Sequence, residues 1–142
     1  MFGTLNYWPI LIAAVASFVF GAIWYTALSK QWMAARGKSP ADMETDKAEM
    51  GAVPFVISFV ALLIMAWVLA GIMLHLARGG TPMTIRGGMI SAFFLWFGFV
   101  LTTMATNYAF HGAKRALTLI DGAHWLGVLL IQGAVLGWWG VA

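Results

Sequence analysis

Residues 54–77 read PFVISFVALLIMAWVLAGIMLHLA, without one Asp, Glu, Lys or Arg among them. A helix of about 20 apolar residues crosses the hydrocarbon core of a bilayer. That core holds no water to satisfy backbone N–H and C=O groups, so such a stretch must be helical. Working outward, the pattern recurs in residues 8–28, 87–110 and 122–140, all equally free of those four residue types. The reading is an all-α, polytopic membrane protein, an antiparallel bundle of four transmembrane helices in a single domain over residues 1–142.

Composition points the same way. Hydrophobic residues make up 62% of the chain and charged ones 9%, far from the balance of a soluble domain. The net charge of +3 comes from basic residues scattered over three loops, which form no patch for nucleic acid. Cysteine is absent, which excludes disulfides, thiol catalysis, thiolate metal sites and covalent haem attachment. The first apolar stretch has no basic residue before it in Met1-Phe2-Gly3-Thr4-Leu5 and is too long for the core of a cleavable leader. It is expected to be retained.

The loops set an orientation. Lys30, Arg36, Lys38 and Lys47 fall in the first loop, Lys114 and Arg115 in the third, and Arg78 and Arg86 in the second. Six against two predicts loops one and three in the cytoplasm and both termini outside, in the cell (inner) membrane. Tyr7 and Trp8 then mark the outer interface, and Trp24, Tyr25 and Trp32 the inner one. Asn6 is placed to cap the first helix, with Pro9 in its first turn. Ser39-Pro40-Ala41-Asp42 has the signature of a helix start and predicts a short surface helix over residues 40–50. Arg78-Gly79-Gly80-Thr81-Pro82 is a stop and turn. The third loop, residues 111–121, is short enough to make the third and fourth spans antiparallel neighbours.

In lipid, helices associate by close packing and hydrogen bonds, since lipid tails are as apolar as a leucine face. Small residues at four-residue spacing are the trace of this: Ala13, Ser17 and Gly21 in the first span, Gly133 and Gly137 in the fourth. They predict helix-packing faces, either within the bundle or as the seam of a homo-oligomer, most simply a dimer. The third span carries Thr102, Thr103, Thr106 and Asn107. At helical pitch, Trp96, Val100, Thr103, Asn107 and His111 share one face, and on the fourth span Asp121, Trp125, Val128 and Gln132 do, with His124 at the edge.

Trp24, Tyr25, Asn107, His111, Asp121 and His124 therefore gather near the loop-one and loop-three end, where they are candidates for a ligand-binding site. The plainer alternative makes Asp121 the N-cap of the fourth helix, His111 and His124 wetted helix ends, and Asn107 a partner for a neighbouring helix. His111, Asp121 and His124 are suitable metal-ligand types, but they lack a fourth protein ligand, and the expectation is no metal and no cofactor.

With these residues laid out, the chain resembles the bacterial membrane family called domain of unknown function 1761. The resemblance rests on Asn6-Tyr7-Trp8-Pro9-Ile10, Phe20-Gly21-Ala22-Ile23-Trp24-Tyr25, Trp32, Gly98-Phe99-Val100-Leu101-Thr102-Thr103, Asn107-Tyr108-Ala109-Phe110 and Ile120-Asp121-Gly122-Ala123-His124. It covers nearly the whole chain and departs from the pattern at Thr26-Ala27, where members often carry Ser-Pro. The resemblance implies a small four-helix integral membrane protein and supplies no activity.

Three functions compete. The first is a non-enzymatic, self-associating membrane module that holds a lipid or small apolar ligand, with the bilayer and a second copy as its partners. The second is a small homo-oligomeric transporter or channel, with the Thr/Asn face of the third span lining a path and no intramembrane carboxylate to couple it. The third is a membrane enzyme or metal site using His111, Asp121 and His124, for which no nucleophile arrangement, phosphate loop or paired-histidine helix is present.

Overall fold

The computed structural model describes residues 4–142; residues 1–3, part of the segment read above as lacking a basic leader, lie outside it. The described chain is helical throughout. The four spans are α1 (Tyr7–Ala27), α4 (Val53–Arg78), the pair α5 (Ile85–Leu95) and α6 (Thr102–Phe110), and α7 (Arg115–Trp139). A π-helical turn, Trp96–Leu101, joins α5 to α6, so the third span runs unbroken from Ile85 to Phe110. The first loop folds into α2 (Ser29–Arg36) and α3 (Pro40–Met50). All four spans are long and apolar enough to cross a membrane, which makes the chain a polytopic membrane protein.

Local chemistry explains the ends. The Asn6 side chain accepts the Trp8 N–H at 3.1 Å and opens α1. At α3, Ser39 Oγ accepts the Asp42 N–H at 3.2 Å while the Asp42 carboxylate accepts the Ser39 N–H at 2.8 Å, a reciprocal box with Pro40 behind it. α2 was not foreseen in sequence. Gln31, Met33, Ala34 and Ala35 are good helix formers, and Gly37, at φ 68°, supplies the left-handed stop. The fourth helix also begins earlier than the charge-free stretch. Lys114 is its N-cap residue, so the connection after α6 is short, and Asp121 lies inside the helix rather than at its start. A span is recognised by its lack of charge, but a helix continues past the hydrocarbon for as long as residues such as Arg115, Ala116 and Leu117 favour it.

The spans lie side by side in the order α4, α1, α7, α5, with α7 the most enclosed. α1 and α4 meet over alanines (Ala13, Ala66, Ala70), together with Leu69 and Met73. α7 and α5 approach until their backbones touch. A Cβ added to Gly133 would collide with the Gly88 carbonyl, one on Gly88 would strike Gly133, and one on Gly137 would strike Thr84. Such contact is what small residues permit in lipid. Ala13, Ser17, Gly21, Gly133 and Gly137 are all buried within the single chain. At mid-bundle the fully buried Gln132 donates to Ser17 Oγ and to the Leu62 carbonyl, both at 3.1 Å, tying α7 to α1 and α4.

The third span is the least enclosed. No residue of α6 is buried, and Thr102, Thr103, Thr106 and Asn107 all face outward. The three threonine hydroxyls donate to carbonyls one turn back, those of Gly98, Phe99 and Thr102, so their polarity is satisfied within the helix.

Candidate functional site: a carboxylate held by two tyrosines

The polar centre of the molecule is built on one turn of α7. Asp121 is 9% exposed, and each carboxylate oxygen accepts one phenol hydroxyl. Tyr25 of α1 donates to Oδ1 and Tyr108 of α6 to Oδ2, each at 2.6 Å. The flanking carbonyls are held as well. Trp24 Nε1 donates to the Ile120 carbonyl at 3.2 Å, and Trp96 Nε1 to the Gly122 carbonyl at 2.8 Å. One turn of α7 thus receives a hydroxyl and an indole from α1, and the same pair from the third span.

The centre has a defined depth. α7 is 25 residues long, about 37 Å at helical rise, against about 30 Å of hydrocarbon. Counting about 20 residues back from the aromatic pair Trp138-Trp139 brings the far hydrocarbon boundary to within a turn of Asp121. A carboxylate at that level cannot rely on water. Hydrogen bonds to the charged form are what make its burial tolerable.

One turn further on, His124 is 8% exposed and enclosed by rings: Trp125 at 4.8 Å between centroids, Tyr25 at 4.9 Å and Phe20 at 6.0 Å. Gly21 makes room for it, since a Cβ there would stand 2.9 Å from His124 Nε2. His124 Nδ1 is buried without a hydrogen-bond partner. Trp32 Nε1, on α2, is in the same condition, and its ring packs edge-on against Tyr25 at 5.2 Å. Beyond Trp32, the Arg36 guanidinium lies 4.6 Å over the indole. α2 therefore closes the end of the bundle, helped by Lys114 Nζ donating to the Ala34 carbonyl at 3.1 Å.

Of the six residues expected together, Trp24, Tyr25, Asp121 and His124 meet here. Asn107 and His111 do not. Asn107 is exposed on the outer side of α6, and His111 is the exposed residue that ends that helix. The π-turn is the reason. It takes one residue more than an α-helical turn, so every position beyond it is advanced by one. The inward face runs through Trp96, Val100, Leu101, Met104 and Tyr108, Thr103 and Asn107 turn outward, and Tyr108 takes the place expected of Asn107. Sequence reasoning missed Tyr108 and the role of Trp32; both are aromatic residues near a helix end, and both stand among the residues that carry the family resemblance.

Asp121 does not cap a helix, and His124 is not at a helix end. Both corrections follow from α7 beginning at Arg115. Among the described residues no three of His, Cys, Asp and Glu come together, and His111 stands apart from Asp121 and His124 in exposure and in element.

A family model described as a protein of unknown function (DUF1761) matches residues 8–137. That match takes in nearly all of the four spans and every residue of the centre. No curated protein and no solved structure matches the chain.

Proposed function

The chain belongs to the DUF1761 family, and from that premise we propose that it is a non-enzymatic membrane module that holds a lipid or small apolar ligand at the Asp121 centre. One observation carries this reading. A buried carboxylate is gripped from two other spans, while two buried polar atoms, His124 Nδ1 and Trp32 Nε1, in rings packed against Tyr25, have no protein partner. Buried polar groups are nearly always paired, and although a third such atom, Gln132 Oε1, lies at mid-bundle, two in side chains packed on Tyr25 favour a place where something else binds. Both phenols donate to the Asp121 carboxylate, an arrangement that ties three helices together and suits holding. Native mass spectrometry of the protein released from mild detergent tests this. A small adduct is expected on the native chain and absent from Asp121→Ala; identical adducts on both would overturn the reading.

Self-association belongs to the same proposal. The outward face of α6, with the Asn107 amide near its end, is the polar surface left over once the chain is packed. The spectra above also read the mass, and a monomer throughout would remove this part. In the same reading the basic residues of loops one and three place the Asp121 end in the cytoplasm of a cell inner membrane. A reporter fused after Ala142 should then be active outside; cytoplasmic activity would invert the topology. The transporter alternative gains one support, because Asp121 supplies a carboxylate inside a span where the charge-free stretches offered none.

A further inference from the structure

Every ion pair among the described residues lies in the first loop: Lys38 and Arg36 with Asp46, and Lys47 with Glu44. Asp121 has none. Of the cations at its end of the bundle, Lys30 and Arg115 are exposed, and none forms an ion pair with it. Arg36 is held over Trp32 and beside Asp46, and Lys114 is bonded to the Ala34 carbonyl. Two neutral hydroxyls stabilise the carboxylate without cancelling its charge, and a buried charge is best compensated by an opposite one. A carboxylate offers about four lone-pair positions, of which the tyrosines use two. Each phenol oxygen, its proton given to Asp121, also keeps lone pairs. The centre is rich in acceptors.

Its surroundings are aromatic. Tyr25, Phe20, Trp125 and His124 form one connected set of rings, and Trp24 and Trp96 are fixed on either side of the carboxylate by their own hydrogen bonds. A carboxylate among aromatic rings suits one class of ligand: a positive head whose N–H groups meet the oxygens while its alkyl part lies against the rings. An anion would be repelled, and a neutral alcohol would leave the charge uncompensated.

We infer that the Asp121 centre is the binding site of a small alkylammonium ion, its N–H groups on the Asp121, Tyr25 and Tyr108 oxygens and its alkyl part among the surrounding rings. This rests on the ligand-holding reading above and names the chemistry of the ligand's polar end.

The test uses the full chain in detergent with ¹⁵N-labelled tryptophan, and butylammonium, butanol, butyrate and potassium ion as probes. The indole N–H signals of Trp24, Trp32 and Trp96 are assigned by single Trp→Phe changes. Butylammonium should shift these signals saturably, while butanol, butyrate and potassium should not. Asp121→Asn should weaken butylammonium by about tenfold or more, the loss of one charge-assisted contact. Butanol acting as strongly as butylammonium would overturn the cation inference and leave the ligand-holding reading standing. Potassium producing the same shifts would replace the organic cation with an inorganic one and overturn it too. No shift with any probe, on a native chain that carries a neutral adduct lost in Asp121→Ala, would again sink the inference alone. The comparison of probes on the unaltered protein holds even if the Asp121 variant fails to fold.

Discussion

A carboxylate that caps a helix and one that ties three helices together respond differently to the same substitution. At an N-cap, Asn replaces Asp with little loss. At position 121 the side chain accepts hydroxyls from Tyr25 and Tyr108, and an amide nitrogen can accept neither. Asp121→Asn is therefore expected to cost about 1–3 kcal/mol, and Tyr25→Phe or Tyr108→Phe about 0.5–2 kcal/mol each. The tyrosine changes should cost less in the Asn background than in the native one, since they share a partner. Unfolding in mixed micelles with increasing SDS measures all five quantities. An Asn variant as stable as the native chain would show that the two short hydrogen bonds hold nothing together. Much at this scale was legible: Trp24, Tyr25, Asp121 and His124 share a level because residue counts from the loops place them there. Tyr108 was not, because its inward position depends on the backbone before it.

Among the elements, α3 is readable from four residues, since its box is purely local. The Ser39 backbone N–H, and then the Ser39 hydroxyl, hold the Asp42 carboxyl below its ordinary value. A carboxyl whose pKa falls on folding stabilises the fold above its unfolded pKa, and that contribution fades as pH drops through the folded one. The first turn of α3 should thus lose amide-exchange protection as pH falls below about 4, after correction for intrinsic rates. Asp42→Asn should remove the pH dependence, and unchanged protection through the acid range would show the box to be irrelevant to α3. The spans themselves were equally plain, since absence of charge over 20 residues has one physical meaning. The π-turn at Trp96–Leu101 left no mark in the pattern: Trp96-Phe97-Gly98-Phe99-Val100-Leu101 is as apolar as any α-helical turn. What selects it is tertiary. It lets Trp96 reach the Gly122 carbonyl and Tyr108 reach Asp121, two attachments that one continuous α-helical phase places on different faces. The beginning of α7 escaped notice for a related reason: Lys114 and Arg115 end the charge-free run without ending the helix.

For the whole molecule, the lateral order α4, α1, α7, α5 departs from chain order. α4 and α5 are joined by a short turn yet share little surface, and α7 separates α1 from α5. Ser17 and Gly21 of α1 meet Gln132 and His124 of α7, and Gly88 of α5 meets Gly133. On a ribosome, α7 is the last of the four spans to emerge. Until it does, α1 and α4 can pair, but α1 and α5 have inserted without the helix that lies between them, and the bare backbone of Gly88 lacks its partner. Assembly must then wait for the final span and proceed by lateral insertion rather than by sequential docking. Residues 1–112 and 113–142, expressed as separate chains divided in the exposed turn after α6, should therefore recombine in the membrane and co-purify. Residues 1–112 alone should be degraded several times faster than the pair. Equal lifetimes would mean that the first three spans form a finished unit by themselves. If they do not, a chain interrupted anywhere before Gly133 is an orphan to the cell, open to membrane proteolysis along the flanks where its centre should be.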